Sequence, residues 1–389
     1  MYLTAFLHRD VFFEIANRWL SNQLRPEDPL QITRIISYDS FVAWTTQLSF
    51  IDALSASLSH RPIHRKTISS KKELKDLICQ AETPKTARIA KLIDEYMKTP
   101  EFFYIGSPFV GYIYHYTPSD ILCISRLKRV RRIAEKSSRY AKMHIFDQIH
   151  AEAREISRKW PQPTSTLDGL PAALLTEAER VITDRIKEQG LSLPLESMTI
   201  KDVLGMKIID RGYGEKGLES TISGLTGARI VEKENHTGRY NAVHYVVELD
   251  VHKKQMINEF SALESTLHFT QRGLPADGLR EDFSAFITTG ADRIQVDLIF
   301  TSFDELIESE IGRSIHENRI FEQRQQKRYY GNILNSIEYI IEYLFAVGLS
   351  PATEIGEIPI KIWGRYLPDT LSHQIRELYQ MPEYSLISA

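Results

Sequence analysis

The segment Ile294-Gln-Val-Asp-Leu-Ile-Phe300 sets a carboxylate in the middle of a run of high β propensity. Aspartate is depleted in strands, and a buried carboxylate is costly unless it is paired or metal-bound. Asp297 therefore either faces outward, at an edge or on a solvated face, or marks a site. Two stretches upstream carry related chemistry. Asp202-Val-Leu-Gly-Met-Lys207 places an acid at the start of an apolar strand, and Tyr240-Asn-Ala-Val-His244 leads into an alternating one. Alone, Asp202 reads as a turn or cap residue. Tyr240 and His244 are four residues apart and share one strand face. That face is either a half-buried sheet surface or a platform for a base and a phosphate.

Strand and helix signals alternate around these stretches. Residues 1–118 read as mostly helical, with helices at Val11–Leu20, Lys71–Cys79 and Thr86–Met97 and a strand or packed loop within Phe102–Tyr116. Asp120–Ser125 reads as a buried strand and Arg126–Arg158 as a long basic helix, followed by a breaker-rich linker over 160–169. A helix over 171–189, a strand over Val203–Ile209, a helix over Lys216–Leu225 and a strand pair, Ala228–Lys233 with Ala242–Leu249, come next. His252–Leu267 has helical spacing, Phe283–Thr289 and Arg293–Phe300 read as strands, and Phe303–Arg328 reads as one long helix. A helix to Val347, a proline-rich segment and a short terminal helix complete the chain. This mixture predicts an α+β fold: a mixed β-sheet core flanked by helices, with additional mostly helical N-terminal and C-terminal regions. The expected division is 1–118, 119–330 with a helical insertion over 138–196, and 331–389.

Bulk properties exclude some classes and leave others. The chain has 389 residues, 42% hydrophobic and 25% charged, ordinary values for a globular protein. A net charge of −3 gives no whole-chain case for nucleic-acid binding, although Arg126–Arg139 is locally dense in cations. That basic stretch is either a solvated or RNA-contacting face or a nucleotide grip. Two cysteines, Cys79 and Cys123, argue against a disulfide framework. No window approaches the ~18 apolar residues of a membrane span, and no secretory signal is recognisable, so a cytoplasmic protein without a membrane partner is expected.

Taken together, the three stretches resemble the synthetase domain of the RelA/SpoT alarmone enzymes. That family carries a strand Asp-x-x-Gly-x-Arg, then Gly-Tyr-x-Ser-x-His, then a strand Glu-x-Gln-x-Arg-Thr, then Ala-Glu and a His six residues on. Asp202-Val-Leu-Gly205-Met-Lys207 is similar to the first and Tyr240-Asn-Ala-Val-His244 to the second. Asp297 falls on the strand Glu, and Glu310 and His316 follow thirteen and nineteen residues later, at the family's spacing. The family also has an Arg-x-Lys segment ending its first strand, with a second Lys further on. Arg126-Leu-Lys128 with Lys136 resembles it; Arg185-Ile-Lys187 is the rival, within an apparent helix. The chain departs from the pattern in Asp297 for Glu, Lys207 for Arg, Ile299 and Thr301 for Gln and Arg, and Arg239 between Gly238 and Tyr240. No His-Asp pair of the family's hydrolase half is present, so hydrolysis is not expected.

The resemblance implies a nucleotidyltransferase-like core that moves pyrophosphate from ATP to a ribose 3′-hydroxyl. It implies that Asp202 and Asp297 are catalytic and hold Mg²⁺ together. Arg126, Lys128 and Lys136 would grip ATP, and Tyr240 would stack on the acceptor base. His244 and His316 would orient phosphates or support the acids, and Lys207 and Glu310 would complete nucleotide binding. The acceptor is a guanine nucleotide or, as in toxic relatives, the 3′ end of tRNA. The third reading is a descendant that binds nucleotide or RNA without catalysis.

Overall fold

The computed structural model describes residues 1–59, 61–81, 86–103, 105–159, 172–238, 241–312, 331–363 and 368–381. In it the alternating signals become a seven-stranded mixed sheet with helices on both faces, and Tyr2–Leu3 pairs separately with Thr199–Ile200 in a two-stranded parallel sheet. The chain runs β1 (Tyr2–Leu3), α1 (Arg9–Leu20), α2 (Asp28–Arg34), a π turn at Ile35–Asp39 and α3 (Ser40–Leu58). It continues β2 (His64–Ser70), α4 (Lys71–Gln80), α5 (Ala87–Lys98), β3 (Pro108–Thr117), β4 (Asp120–Leu127), α6 (Val130–Lys159) and α7 (Ala172–Gln189). Then come β5 (Thr199–Ile200), β6 (Leu204–Ile209), α8 (Gly214–Gly224), β7 (Ala228–His236), β8 (Ala242–Asp250) and α9 (Lys253–Ser261). The short α10 (Leu267–Thr270), α11 (Leu279–Thr289), β9 (Arg293–Thr301) and α12 (Phe303–Glu310) precede two C-terminal helices, Asn332–Val347 and Pro368–Leu378.

Seven strands pair in the order β2-β3-β4-β6-β9-β8-β7. Within this sheet β6 and β9 run parallel, and every other neighbouring pair is antiparallel. Side chains alternate between faces along each strand. Leu204, Met206 and Ile208 of β6, Val243, Tyr245 and Val247 of β8, and Ile294, Val296, Leu298 and Phe300 of β9 all enter the larger hydrophobic core. That core also takes the apolar faces of α1, α3, α6 and helix Asn332–Val347. On the opposite face a smaller core gathers Ile113, Ile124 and Ile209 under α4, α5 and α12. The strand residues of that apolar layer come from β2, β3, β4 and β6; Arg126 of β4, Lys207 of β6, Asp297 of β9 and His244 of β8 lie on the same face.

Helix ends are set by side-chain caps. Ser70 accepts a hydrogen bond from the backbone N–H of Glu73, Thr86 from Ile89 and Ser302 from Glu305. The Ser302 cap turns the chain directly from β9 into α12. From the core side, Gln47 of α3 is fully buried and donates from Nε2 to the Gly205 carbonyl at 3.0 Å.

Several expectations change. Phe283–Thr289 is not a strand but the end of α11. Its β-branched and aromatic residues read as β locally, yet Leu279, Phe283, Phe286 and Ile287 form one buried helical stripe. Gly278, at φ +75°, occupies the N-cap in a left-handed conformation, and Phe283 stacks on Phe260 at 3.9 Å. The helix expected over Phe303–Arg328 ends at Glu310; the remainder of that stretch from 313 lies outside the described residues. The helix expected from Arg126 begins at Val130, because β4 continues through Leu127. The helical stretch expected over His252–Leu267 stops at Ser261, and the chain resumes helical turns only at α10. Strand β2 was not anticipated. The N-terminal region supplies β2 and β3 to the same sheet, and position 118 falls in the turn between paired strands β3 and β4. Among the described residues no helix is long and apolar enough to cross a membrane.

Gln47→Leu removes the donor to Gly205 while filling the same space. It is expected to lower the unfolding free energy by about 1–3 kcal/mol, read by urea denaturation. An unchanged midpoint would show that this carbonyl needs no help from α3.

Candidate functional site

Strand register assembles the site before any side-chain contact is considered. Arg126 pairs with Gly205, Gly205 with Asp297, and Asp297 with Val246. These residues form one row across four strands and point to one face. The next row is Ile124, Lys207, Ile299 and His244, continued by Glu234 on β7. Gly205 leaves a gap between the basic and the acidic residue. The Arg126 side chain occupies it: a Cβ on Gly205 would lie 2.8 Å from Arg126 Nε. Arg126 is the strongest positive influence on the Asp297 carboxylate, ahead of Lys128 and Lys136.

Asp202 sits just before β6, and two ammonium groups hold it. Lys128 Nζ pairs with one carboxylate oxygen, and Lys136 Nζ donates to the other at 2.8 Å. Lys128 lies directly after β4, where its backbone N–H donates to the Val203 carbonyl at 2.8 Å. Lys136 reaches in from the second turn of α6. All three side chains are between 15% and 26% exposed, so the charges are only partly screened by water. Burial pushes the Asp202 carboxyl upward, but the two lysines outweigh it and hold it well below the usual carboxylate range. Burial also lowers Lys128, to about 8, against the pull of Asp202.

Asp297 behaves in the opposite way. Burial raises its carboxyl above the usual value, and the nearby Asp202 charge adds to that; the cations offset only part of it. Among the described residues it makes no hydrogen bond and no ion pair. Two carboxylates in mutual electrostatic contact thus have different proton affinities, the pattern that separates a fixed anion from a proton acceptor.

A second cluster adjoins the first. Glu310, at the end of α12, accepts from Lys207 Nζ at 2.6 Å and from Lys71 Nζ at 2.8 Å. Lys207 also donates to Ser309 Oγ at 2.8 Å. The pair of lysines holds Glu310 well below the usual range despite its burial, and burial lowers Lys207. Lys207 and Glu310, both anticipated as nucleotide contacts, are therefore brought together but committed to each other. Further along the face, His244 meets His236 edge-on with ring centroids 4.2 Å apart. Burial and His236 push His244 down to about 4, so it is neutral at pH 7 and offers hydrogen bonds rather than charge.

The remaining anticipated residues fall elsewhere. Tyr240 and His316 lie outside the described residues. The rival basic pair is on the exposed side of α7, where Arg185 pairs with Glu152 and Lys187 with Asp184. The sequence reading missed Lys71, His236 and Ser309. Lys71 stands 239 positions from Glu310, so no local pattern could connect them. Ser309 precedes an anticipated residue directly, and helical adjacency was the available signal.

Among the described residues no three His, Cys, Asp or Glu side chains form a group able to hold a metal ion alone. Mg²⁺, however, is commonly held by one or two carboxylates with substrate phosphates completing its shell. Asp297, an acid partly enclosed and without a partner of its own among the described residues, next to Asp202, fits that donor set.

No family model and no curated protein matches the chain. Two solved structures of small alarmone synthetase 1 from Bacillus subtilis are similar to parts of it. One, bound to its product pppGpp, is 12% identical over 43% of this chain and 67% of the other, at a TM-score of 0.18. The second is 11% identical over 55% of this chain and 89% of the other, at 0.21. At these values the likeness assigns no residue and no activity.

Glu310→Gln would leave two enclosed ammonium groups facing each other and is expected to cost about 3–5 kcal/mol of stability. Lys71→Met leaves the Lys207–Glu310 pair intact and should cost clearly less. Equal losses in urea titrations of the two variants would show that the lysines do not share one carboxylate.

Proposed function

We propose that this protein transfers pyrophosphate from ATP to the ribose 3′-hydroxyl of a guanine nucleotide. The observation that carries the reading is the row Arg126–Gly205–Asp297, flanked by Asp202 with its two lysines. It puts a cation cluster, a fixed carboxylate and a more basic carboxylate on one sheet face. Arg126, Lys128, Lys136, Lys207 and Lys71 against Asp202, Asp297 and Glu310 leave the face net positive, as a polyphosphate substrate requires. Arg126 makes no ion pair among the described residues and is available to phosphate oxygens, for which its planar fork is suited.

In the proposed reaction Lys128, Lys136 and Arg126 bind the ATP phosphates and orient the chain of phosphorus atoms. Asp297 accepts the proton of the acceptor 3′-hydroxyl. The hydroxyl oxygen bonds to the β-phosphorus as the α–β bridging bond breaks, and AMP leaves with the bridging oxygen. Asp202 and Asp297 would hold Mg²⁺, which supplies charge neutralisation on the transferred phosphates. His244, being neutral, contributes a hydrogen bond to the acceptor side. Tyr240 and His316 keep the parts the resemblance implies, base stacking and phosphate orientation. Phosphoryl chemistry of this kind depends mostly on positioning and electrostatics, which suits a site whose Arg126 and Asp297 are fixed by strand register.

The test is incubation of the full chain with Mg²⁺ and γ-labelled ATP, together with GDP, GTP or tRNA. Label should pass to the guanine nucleotide with one AMP formed per transfer. Asp297→Asn should reduce the rate at least about 100-fold without lowering stability, because an enclosed carboxylate whose proton affinity is raised does not stabilise the fold when ionised. Label at the tRNA 3′ end instead would change the acceptor. Nucleotide binding with no labelled acceptor would leave only a binding protein and end the enzymatic reading.

A further inference from the structure

We propose that Lys128 and Lys136 act as displaceable counterions that close Asp202 to a divalent cation until nucleotide phosphates draw them away. This rests on the reading of the site as a nucleotide site, and it adds an order of binding: nucleotide first or together with its cation, never the cation alone. Three observations support it. Both carboxylate oxygens of Asp202 are already engaged, one by each ammonium group. The two lysines come from separate places in the chain, one directly after β4 and one in α6, so neither is held there by the other. Their ammonium groups stand where a cation approaching Asp202 must stand, and like charges at that range repel strongly in a half-enclosed site.

The alternative partner for the lysines is chemically equivalent to the one they have. A polyphosphate oxygen accepts from an ammonium group as well as a carboxylate does. Each lysine has a flexible stem on which its head can move from Asp202 to an incoming phosphate without change in the backbone. Asp202 then exchanges two ammonium contacts for a place in the shell of a cation that the same phosphates share. Asp297, which has no such clamp among the described residues, is a single ligand. One carboxylate with waters holds Mg²⁺ weakly, so the protein without nucleotide should show little affinity for the cation.

The experiment measures Mn²⁺ binding by electron paramagnetic resonance and calorimetry, with and without α,β-methylene-ATP. The wild-type chain should bind the analogue in EDTA and bind Mn²⁺ weakly without it. Lys136→Met, and Lys128→Met with Lys136→Met, should raise the affinity for Mn²⁺ alone by about tenfold or more per lysine, while weakening the analogue. Lys136→Arg, which retains the charge, should leave Mn²⁺ affinity low. The single variant serves if the double one does not fold, as checked by circular dichroism. Mn²⁺ binding equally well to the wild type with and without analogue overturns the inference while the nucleotide reading stands. So does a lysine variant that folds and gains no Mn²⁺ affinity. If neither the analogue nor Mn²⁺ binds under any combination, the inference and the nucleotide reading fall together.

Discussion

The parallel pairing of β6 with β9 is the constraint on which the rest depends. It sets Gly205 opposite Asp297 and, through β4, sets Arg126 opposite Gly205. Alternation along the strands then sends Leu204, Met206, Leu298 and Phe300 into the larger core and the charged residues to the other face. A slip of one residue would reverse every one of these assignments, burying Lys207 and Asp297 among isoleucines and phenylalanines. The large apolar core thus selects the register, and the register builds the site. Gly205 has two duties in this arrangement. Its missing side chain gives Arg126 a path toward Asp297, and its carbonyl takes the Gln47 hydrogen bond from the opposite face.

Burial affects each charge differently because the compensating partners are unequally shared. Asp202 has two ammonium partners and stays ionised; Glu310 likewise has Lys71 and Lys207. Asp297 has cations near it but, among the described residues, none in contact, so burial prevails. One enclosed face therefore holds two pinned anions and one that accepts a proton more readily. The difference does not come from the residue types, since Asp202 and Asp297 are the same side chain.

Asp297 was legible in the sequence because an acid inside a run of strand formers contradicts local propensity. Glu310 was picked out by its offset of thirteen from Asp297, which the family resemblance supplied; the Ser302 cap that turns β9 directly into α12 is what carries that offset in the fold. Lys71 was not legible: its partner lies in a distant element, and a lysine opening an amphipathic helix looks like any solvated residue. Helix α11 was misread because seven residues are too few to separate a strand rich in Phe, Ile and Thr from a buried helix. Leu279, four residues before Phe283, carries the period that decides it. The joining of the N-terminal strands to the central sheet had no local signature, because pairing across β2, β3 and β4 is a tertiary event.

The proton affinity of Asp297 follows from what else occupies the face. A polyphosphate anion nearby would raise the affinity of Asp297 for a proton and also draw the lysines from Asp202. Loss of those contacts exposes Asp297 more fully to the Asp202 charge, which again raises it. A divalent cation acts in the opposite sense and favours the ionised form of both acids. The anion and the cation therefore shift the Asp297 carboxyl in opposite directions. With both present the two shifts would oppose each other. Among the described residues Asp297 has no fixed counterion, which leaves room for both shifts; a third lysine on it would have pinned it as Asp202 is pinned.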